Sequence, residues 1–446
     1  MQKLIEQFRI NRSVFIKLFN FTSKYLVTAL LLIIPLFPKF PAFRIAGTYV
    51  AVRLEDFLIL GTLLVFLIPI ISNLKVLLKD KTIRSILIFL IIGLISLICG
   101  IYLTQTVSAK IGLLHWLRRV EYMSLFVVGF IYLKNIFTKG EISHFLEYLI
   151  KLLLIVNLIV FLYGLGQRYF NLPVIITQNE EYSKGVALRW TPGAHINSSF
   201  AGHYDLASYL VLTMPLFISA FFYYKDKYSK IILGASILIG FWLFSVAVSR
   251  ISIVAFLMAT TISLFLLKKY KEIIVVVAIS LVAFGFSPDL RTRYQRIFDV
   301  VKQRLSTLVI VSADEGNVNE DRSTSIRFNV EWPRAIRAFY KNPLLGTGYS
   351  SITLATDNDY LRALGETGIL GLMSLLLIFI SLYNVIGKYQ FDESLDSVLI
   401  ASFIGSTIGI LLTAVFIDIF EASKFAINYW LITGIVVGII KKKEYA

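Results

Sequence analysis

Residues 84–103, RSILIFLIIGLISLICGIYL, hold a single charge, and it is the first residue. An α-helix of about twenty residues rises about 30 Å, the thickness of a bilayer's hydrocarbon, so this run is long enough to cross a membrane. Similar runs lie near 22–37, 55–74, 113–133, 147–166, 204–223, 230–248, 251–267, 272–286, 362–386, 396–417 and 425–440. Twelve spans absorb nearly the whole apolar stock of a 446-residue chain that is 57% hydrophobic and 16% charged, where soluble domains carry roughly 25% charge. The mean hydropathy of +0.76 agrees. The sequence predicts an all-α polytopic membrane protein of about 12 transmembrane helices and excludes a water-soluble globule. It divides the chain into an N-terminal bundle of nine spans (1–286), an outer loop subdomain with interfacial helices (287–361) and three last spans (362–446). The only cysteine, Cys99, lies in the opening run, so neither an intrachain disulfide nor a paired-cysteine zinc site can form.

The first run follows a basic tail (Lys3, Arg9, Arg12, Lys17, Lys24) and ends in Phe37-Pro38-Lys39-Phe40-Pro41. With no small-residue cleavage site, it reads as a retained span rather than a removed signal peptide. Cations then cluster in alternate connections: Lys75, Lys79, Lys81 and Arg84; Lys134, Lys139 and Lys151; Lys225, Lys227 and Lys230; Lys268, Lys269 and Lys271; Lys441, Lys442 and Lys443. The positive-inside rule makes these cytoplasmic and places both termini on the cytoplasmic side of the membrane.

The kind of cation also separates by side. The inner side holds 19 Lys and 3 Arg, the outer side 6 Lys and 16 Arg. Inner lysines need only face anionic headgroups. Arginine keeps its charge when partly dehydrated, and its planar fork matches phosphate oxygens two at a time. An arginine-rich outer face therefore points to an anionic, phosphorylated ligand, with pairing to lipid headgroups or local carboxylates as the competing explanation.

Two outer connections are long enough to carry function. The first, 167–203, holds Arg168, Arg189, Trp190, His195 and His203. In the second, residues 289–308 space their apolar side chains as a helix lying on the membrane surface would, and 312–325 is a polar connector. In the stretch SIRFNVEWPRAIRAFYKNPLLGTGY (325–349), Arg327, Glu331 and Arg334 fall on one helix face if Pro333 only kinks it, so Glu331 could brace both guanidiniums toward a ligand. Gly346 and Gly348 allow a tight turn or a close approach to something bulky.

Asp357-Asn358-Asp359-Tyr360 then meets an apolar span. A carboxylate there can take a proton from a substrate hydroxyl, and N-capping by Asp357 or Asn358 is equally compatible with the spacing. Arg250, between two spans beside Ser249, is costly so close to hydrocarbon unless it faces a polar cavity or snorkels to the interface. Arg118, Arg119 and Glu121, at the start of the fourth span, pose the same question, and the Arg118–Glu121 pair at i, i+3 also suits a purely structural role.

Several of these segments, in this order, resemble the O-antigen ligase and O-antigen polymerase superfamily of bacterial envelope glycosyltransferases. They are Ser199-Phe200-Ala-Gly-His203-Tyr-Asp205-Leu-Ala207 leading to Pro215; Ser249-Arg250; Arg327, Trp332 and Pro343-Leu-Leu-Gly346-Thr-Gly348; and Asp357-Asn358-Asp-Tyr360-Leu361 followed by Glu366-Thr-Gly368-Ile-Leu-Gly371. The span count and the large outer loop before the last three spans look similar too. The resemblance implies an inverting, metal-independent transferase without cofactor, which moves an oligosaccharide from undecaprenyl diphosphate to a glycan or lipid acceptor hydroxyl on the outer face of the cytoplasmic membrane. Its partners are then that lipid-linked sugar, the bilayer and other envelope-assembly proteins such as a chain-length regulator, with no nucleic acid. Where the ligases usually have a histidine proposed as the base, this chain has Asp357, which favours a polymerase-type enzyme over a lipopolysaccharide ligase.

The expected catalytic residues are Asp357, Arg250 and Arg327. Arg334, Arg189, His203, Asn358, Tyr360, Arg118 and Arg119 are the expected substrate contacts, and no metal ligands are expected, since the four histidines are scattered. The rival from another class is a transporter or flippase for an anionic lipid-linked precursor. That rival calls for charges near the bilayer midplane or broken inverted repeats, while the charges here collect at the outer boundary. A scaffold without catalysis is the third reading.

Overall fold

The computed structural model describes residues 2–38, 41–48, 50–136, 139–176, 186–191, 194–285, 325–352 and 355–444. The surface helix expected at 289–308 and the connector up to residue 324 lie outside the described residues. The elements in chain order are α1 (Gln2–Leu36), β1 (Pro41–Arg44), β2 (Ala51–Arg53), α2 (Leu54–Ser72), α3 (Leu74–Leu77), α4 (Lys81–Tyr102), α5 (Ala109–Ile136) and α6 (Lys139–Tyr169). There follow β3 (Val174–Ile176), β4 (Val186–Leu188), α7 (His203–Tyr223), α8 (Lys227–Ala247), α9 (Arg250–Leu266) and α10 (Tyr270–Gly285). A π-helical turn (Arg327–Glu331) runs into α11 (Trp332–Lys341), and then come α12 (Asp359–Ile386), α13 (Leu395–Thr413), a 3-10 turn (Ile419–Glu421) and α14 (Ser423–Glu444). The two strand pairs are short antiparallel hairpins on the connections.

The chain is a helical membrane protein, and each of the twelve expected runs falls on a helix. Nine helices among the described residues are long and apolar enough to cross a membrane. The other three expected spans differ for physical reasons. α9 has only 17 residues, α10 is described for 16 residues up to Gly285, where the described residues stop, and α5 carries Arg118, Arg119 and Glu121 in its first half. Side chains such as Leu64, Ile91, Ile274 and Met373 stand exposed on the bundle's outside, as a lipid-facing surface requires in place of a polar one.

Among the described residues, helices of the first and last sequence segments pack in one bundle. α14 packs along α5, α13 along α9 and α12 along α4. α14 is the axis, with Phe425, Tyr429 and Trp430 fully buried. It comes close to α5 because Gly129 and Gly434 face backbone, where a Cβ would collide with Leu431 and Phe126. At the lysine-rich end, Lys442 donates to the carbonyls of Leu133 and Lys134, and Lys443 pairs with Asp396 at 2.8 Å. The arginine-rich end gathers the starts of α2, α7, α12 and α14.

α12 is broken at Gly368, whose φ is +67°, and the loop after α11 fills the break. The amides of Thr347 and Gly348 donate to the carbonyls of Gly365 and Glu366, while the amides of Ile369 and Leu370 donate to Pro343 and Leu344. Backbone groups freed inside a membrane bundle are thus satisfied by another segment. The close approach allowed by Gly346 is therefore to the protein's own backbone, since a Cβ on Gly346 would meet Glu366 and one on Gly368 would meet Leu344.

Candidate active site

Asp357 sits in the turn before α12 with φ +50°, a left-handed conformation that non-glycine residues adopt when their surroundings impose it. The constraint comes from Asp418, beyond α13. One oxygen of Asp418 accepts from Thr356 N at 2.7 Å and from Arg362 Nη1 at 2.8 Å, and the other accepts from Asn358 N at 3.0 Å. Asn358 caps α12 by accepting from Leu361 N at 2.9 Å. Of the two capping candidates the structure selects Asn358, and Asp357 is turned elsewhere.

It meets Arg327. Nε and Nη2 of Arg327 lie 3.0 and 2.7 Å from the same oxygen of Asp357, leaving the second carboxylate oxygen outside the pair. Nη2 also donates to the Tyr204 hydroxyl at 3.4 Å. On the first turn of α7, the His203 ring lies against Tyr204 and stacks on His195 with ring centroids 4.2 Å apart. Burial pushes the Asp357 carboxyl up and Arg327 opposes that rise.

The expected brace by Glu331 is replaced by this pair. Residues 327–331 form a π turn instead of an α-helical one, which changes the register on which the i, i+4 spacing relied; single π turns are frequent at functional sites. Glu331 Oε2 and Arg334 Nη1 are buried and make no hydrogen bond. Burial, then the neighbouring Asp357, pushes Glu331 up to about 7.

Arg250 opens α9 just after Val248, whose φ of +54° is an outlier for a β-branched residue. The turn is tied to the segment before α7 by Ile196 N donating to Val246 O at 3.1 Å. That segment is clamped by buried Gln167, which donates to Ser198 O and accepts from Ser198 N, both at 2.9 Å. α9 packs on α7, so Arg250 lies at the same end as Tyr204 and Arg327. Its guanidinium adds to the positive end of the α9 dipole, a combination suited to an anion.

Residues 234–376 match the family model for O-antigen ligase. Over this segment the chain is similar to O-antigen ligases. No curated protein matches it. The O-antigen ligase match encloses Arg250, Arg327, Arg334 and Asp357, the loop that repairs α12, and the break at Gly368. It takes in less than half of the chain.

Other expected contacts lie outside this cluster or are engaged within the fold. Arg189 is exposed after β4, and no interaction joins it to Arg327 or Asp357 among the described residues. The Tyr360 hydroxyl donates to Leu411 O at 2.8 Å. Arg118 donates to Ala51 O at 2.7 Å and pairs with Asp56 at 3.2 Å and Glu121 at 3.8 Å. Arg119 pairs with Glu421 and donates to Phe420 O at 2.9 Å. Arg119, Tyr349, Asp359, Arg362 and Glu366 line a cavity of about 20 Å³, which has room for a water or so and none for a diphosphate.

Sequence reasoning passed over Asp418, Glu421, Arg362 and Lys424. Lys424 is fully buried over the Phe200 ring and donates to Pro35 O at 3.1 Å. The available signal was the placement of Asp418, Glu421 and Lys424 between the last two apolar runs, where charges need partners.

Proposed function

We propose that this protein is a membrane glycosyltransferase of the O-antigen polymerase type. It transfers or polymerises an oligosaccharide from undecaprenyl diphosphate onto an acceptor hydroxyl at the outer face of the cytoplasmic membrane, with both termini inside. In this reading Arg250, Arg327 and Arg334 hold the diphosphate, and Asp357 receives the proton of the acceptor. The acceptor oxygen attacks the anomeric carbon from the face opposite the diphosphate. The bond to the diphosphate oxygen breaks, its electron pair leaves with the diphosphate, and the configuration inverts. Guanidinium donors fixed near a low-dielectric surface stabilise the charge that grows on the leaving group, so the step needs no metal. His203 beside Tyr204 suits a sugar contact.

One observation carries the reading: Arg327 and Asp357, from different segments of the chain, meet at the arginine-rich end with one carboxylate oxygen outside their pair. The test is reconstitution in proteoliposomes with undecaprenyl-diphosphate-linked oligosaccharide, comparing the natural chain with Asp357→Asn. The expected result is glycan lengthening or transfer by the former and loss of it in the variant at equal membrane level. Movement of the precursor between leaflets with no new glycosidic bond would replace this reading by a flippase.

A further inference from the structure

We propose that Asp418 is the positioning residue of the active site, strapping the backbone on both sides of Asp357 so that its side chain is held toward Arg327. The inference rests on the reading of Asp357 as the group that receives the acceptor proton. It concerns a residue beyond the O-antigen ligase match, which ends at 376.

The geometry is an interlock of two turns. Asp418 accepts the amides of Thr356 and Asn358, the two neighbours of Asp357. In return Asp359 Oδ2 accepts the amides of Ile419 at 2.8 Å and Phe420 at 3.2 Å, the two residues after Asp418. Asp359 N also donates to Ala414 O at 2.9 Å, which fixes the turn on the end of α13. Each carboxylate thus takes two backbone donors from the opposite turn, and the bend between the two amides held by Asp418 is the left-handed residue Asp357.

Such a conformation persists when its surroundings over-determine it, and three donors on one carboxylate do so. Arg362, the third donor, is anchored in turn by Glu421 at 3.2 Å and Glu366 at 3.6 Å. The strap is therefore rigid, and a carboxylate that must meet a hydroxyl within hydrogen-bond distance benefits from that rigidity.

The charged groups facing Asp357 are Arg327 and Glu331 from the π turn, Arg362 from α12, and Asp418 itself. The negative charge of Asp418 raises the proton affinity of Asp357, while Arg327 and Arg362 lower it. Asp418→Asn removes that charge and at least one of the strap's acceptor contacts, since an amide keeps only one of the two oxygens that accept Thr356 N, Arg362 and Asn358 N. It should move the acid limb of kcat/KM to lower pH as well as reduce kcat, whereas general loosening of the fold lowers the amplitude and leaves the limb in place.

The experiment measures transfer from undecaprenyl-diphosphate-linked oligosaccharide by the full chain in proteoliposomes, across pH, for the natural protein, Asp418→Asn and Asp357→Asn. For Asp418→Asn we expect kcat to fall on the order of a hundredfold, the scale of a misplacement of about 1 Å. KM should change little and the acid limb should shift downward. Full kcat with an unmoved limb in Asp418→Asn, alongside an inactive Asp357→Asn, would overturn the proposal. An active Asp357→Asn would instead overturn the reading of Asp357. Because Asp418→Asn could fail to fold, amide exchange of the natural protein is a second readout. The Thr356 and Asn358 amides should be strongly protected, and free-peptide rates at both would overturn the strap.

Discussion

Arg327 places two donors on one oxygen of Asp357, at 3.0 and 2.7 Å, across thirty residues of sequence. The pair lets a carboxylate remain charged in a half-buried place, and it puts a guanidinium beside the group proposed to meet the acceptor. Lysine at 327 would keep the charge and lose the fork, since an ammonium is a point donor. Arg327→Lys should therefore retain membrane level but lose transfer by about tenfold or more, as read by radiolabelled glycan in proteoliposomes. Undiminished transfer by the lysine variant would show that charge alone is enough.

Asn358 and Asp357 are neighbours with different tasks, and substitution separates them. Asn358→Ala removes the cap on Leu361 N and should cost about 1 kcal/mol of stability, seen as a lower Tm in detergent, with transfer retained once the protein is folded. Asp357→Asn should do the reverse. If Asn358→Ala abolished transfer at unchanged Tm, Asn358 would be a substrate contact.

Glu331 offers a pH test whose sign follows from its surroundings. Its ordinary value of 4.5 is pushed up to about 7 by burial and by Asp357, so the folded state binds the proton more tightly than the unfolded chain. The stability this contributes is fully present below about pH 4.5 and is lost as pH rises through about 7. Glu331→Gln mimics the protonated form, so it should unfold at a higher temperature than the natural chain at pH 8 and at a similar one at pH 4. Equal curves at both pH values would place Glu331 in open water.

The break in α12 is equally testable. Gly368 has φ +67° and its missing Cβ would collide with Leu344, so Gly368→Ala should destabilise by more than about 1 kcal/mol. Folded yield by size-exclusion chromatography in detergent should drop, and normal yield would mean that the loop and the helix do not interlock as described.

Much of the fold was legible because span length and hydrophobic composition are imposed by the bilayer: all twelve apolar runs lie on helices. Sequence alone did not show that α9 is short, because a run such as 251–267 reads the same whether it crosses alone or leans on neighbours. Arg250, Arg327 and Asp357 stood out because charges beside apolar runs need a reason. The partner of Arg327 was misassigned to Glu331 because i, i+4 reasoning presumes α-helical winding, and the π turn at 327–331 breaks that register. Asp418 and Arg362 stayed hidden for another reason: their pairing is created when α12 and α13 meet, and no local spacing encodes it. Arg118 and Arg119 looked like ligand contacts from composition, yet carboxylates and carbonyls from α2, its preceding strand and the turn before α14 take up their donors.

The most direct measurement of the central claim is the single-turnover transfer rate of Arg327→Ala and Arg250→Ala in proteoliposomes, with membrane level and Tm recorded in parallel. If the guanidiniums stabilise the departing diphosphate, each variant should lose about 3 kcal/mol of transition-state stabilisation, on the order of a hundredfold in rate, while remaining folded. Full-rate transfer by both variants would contradict the account.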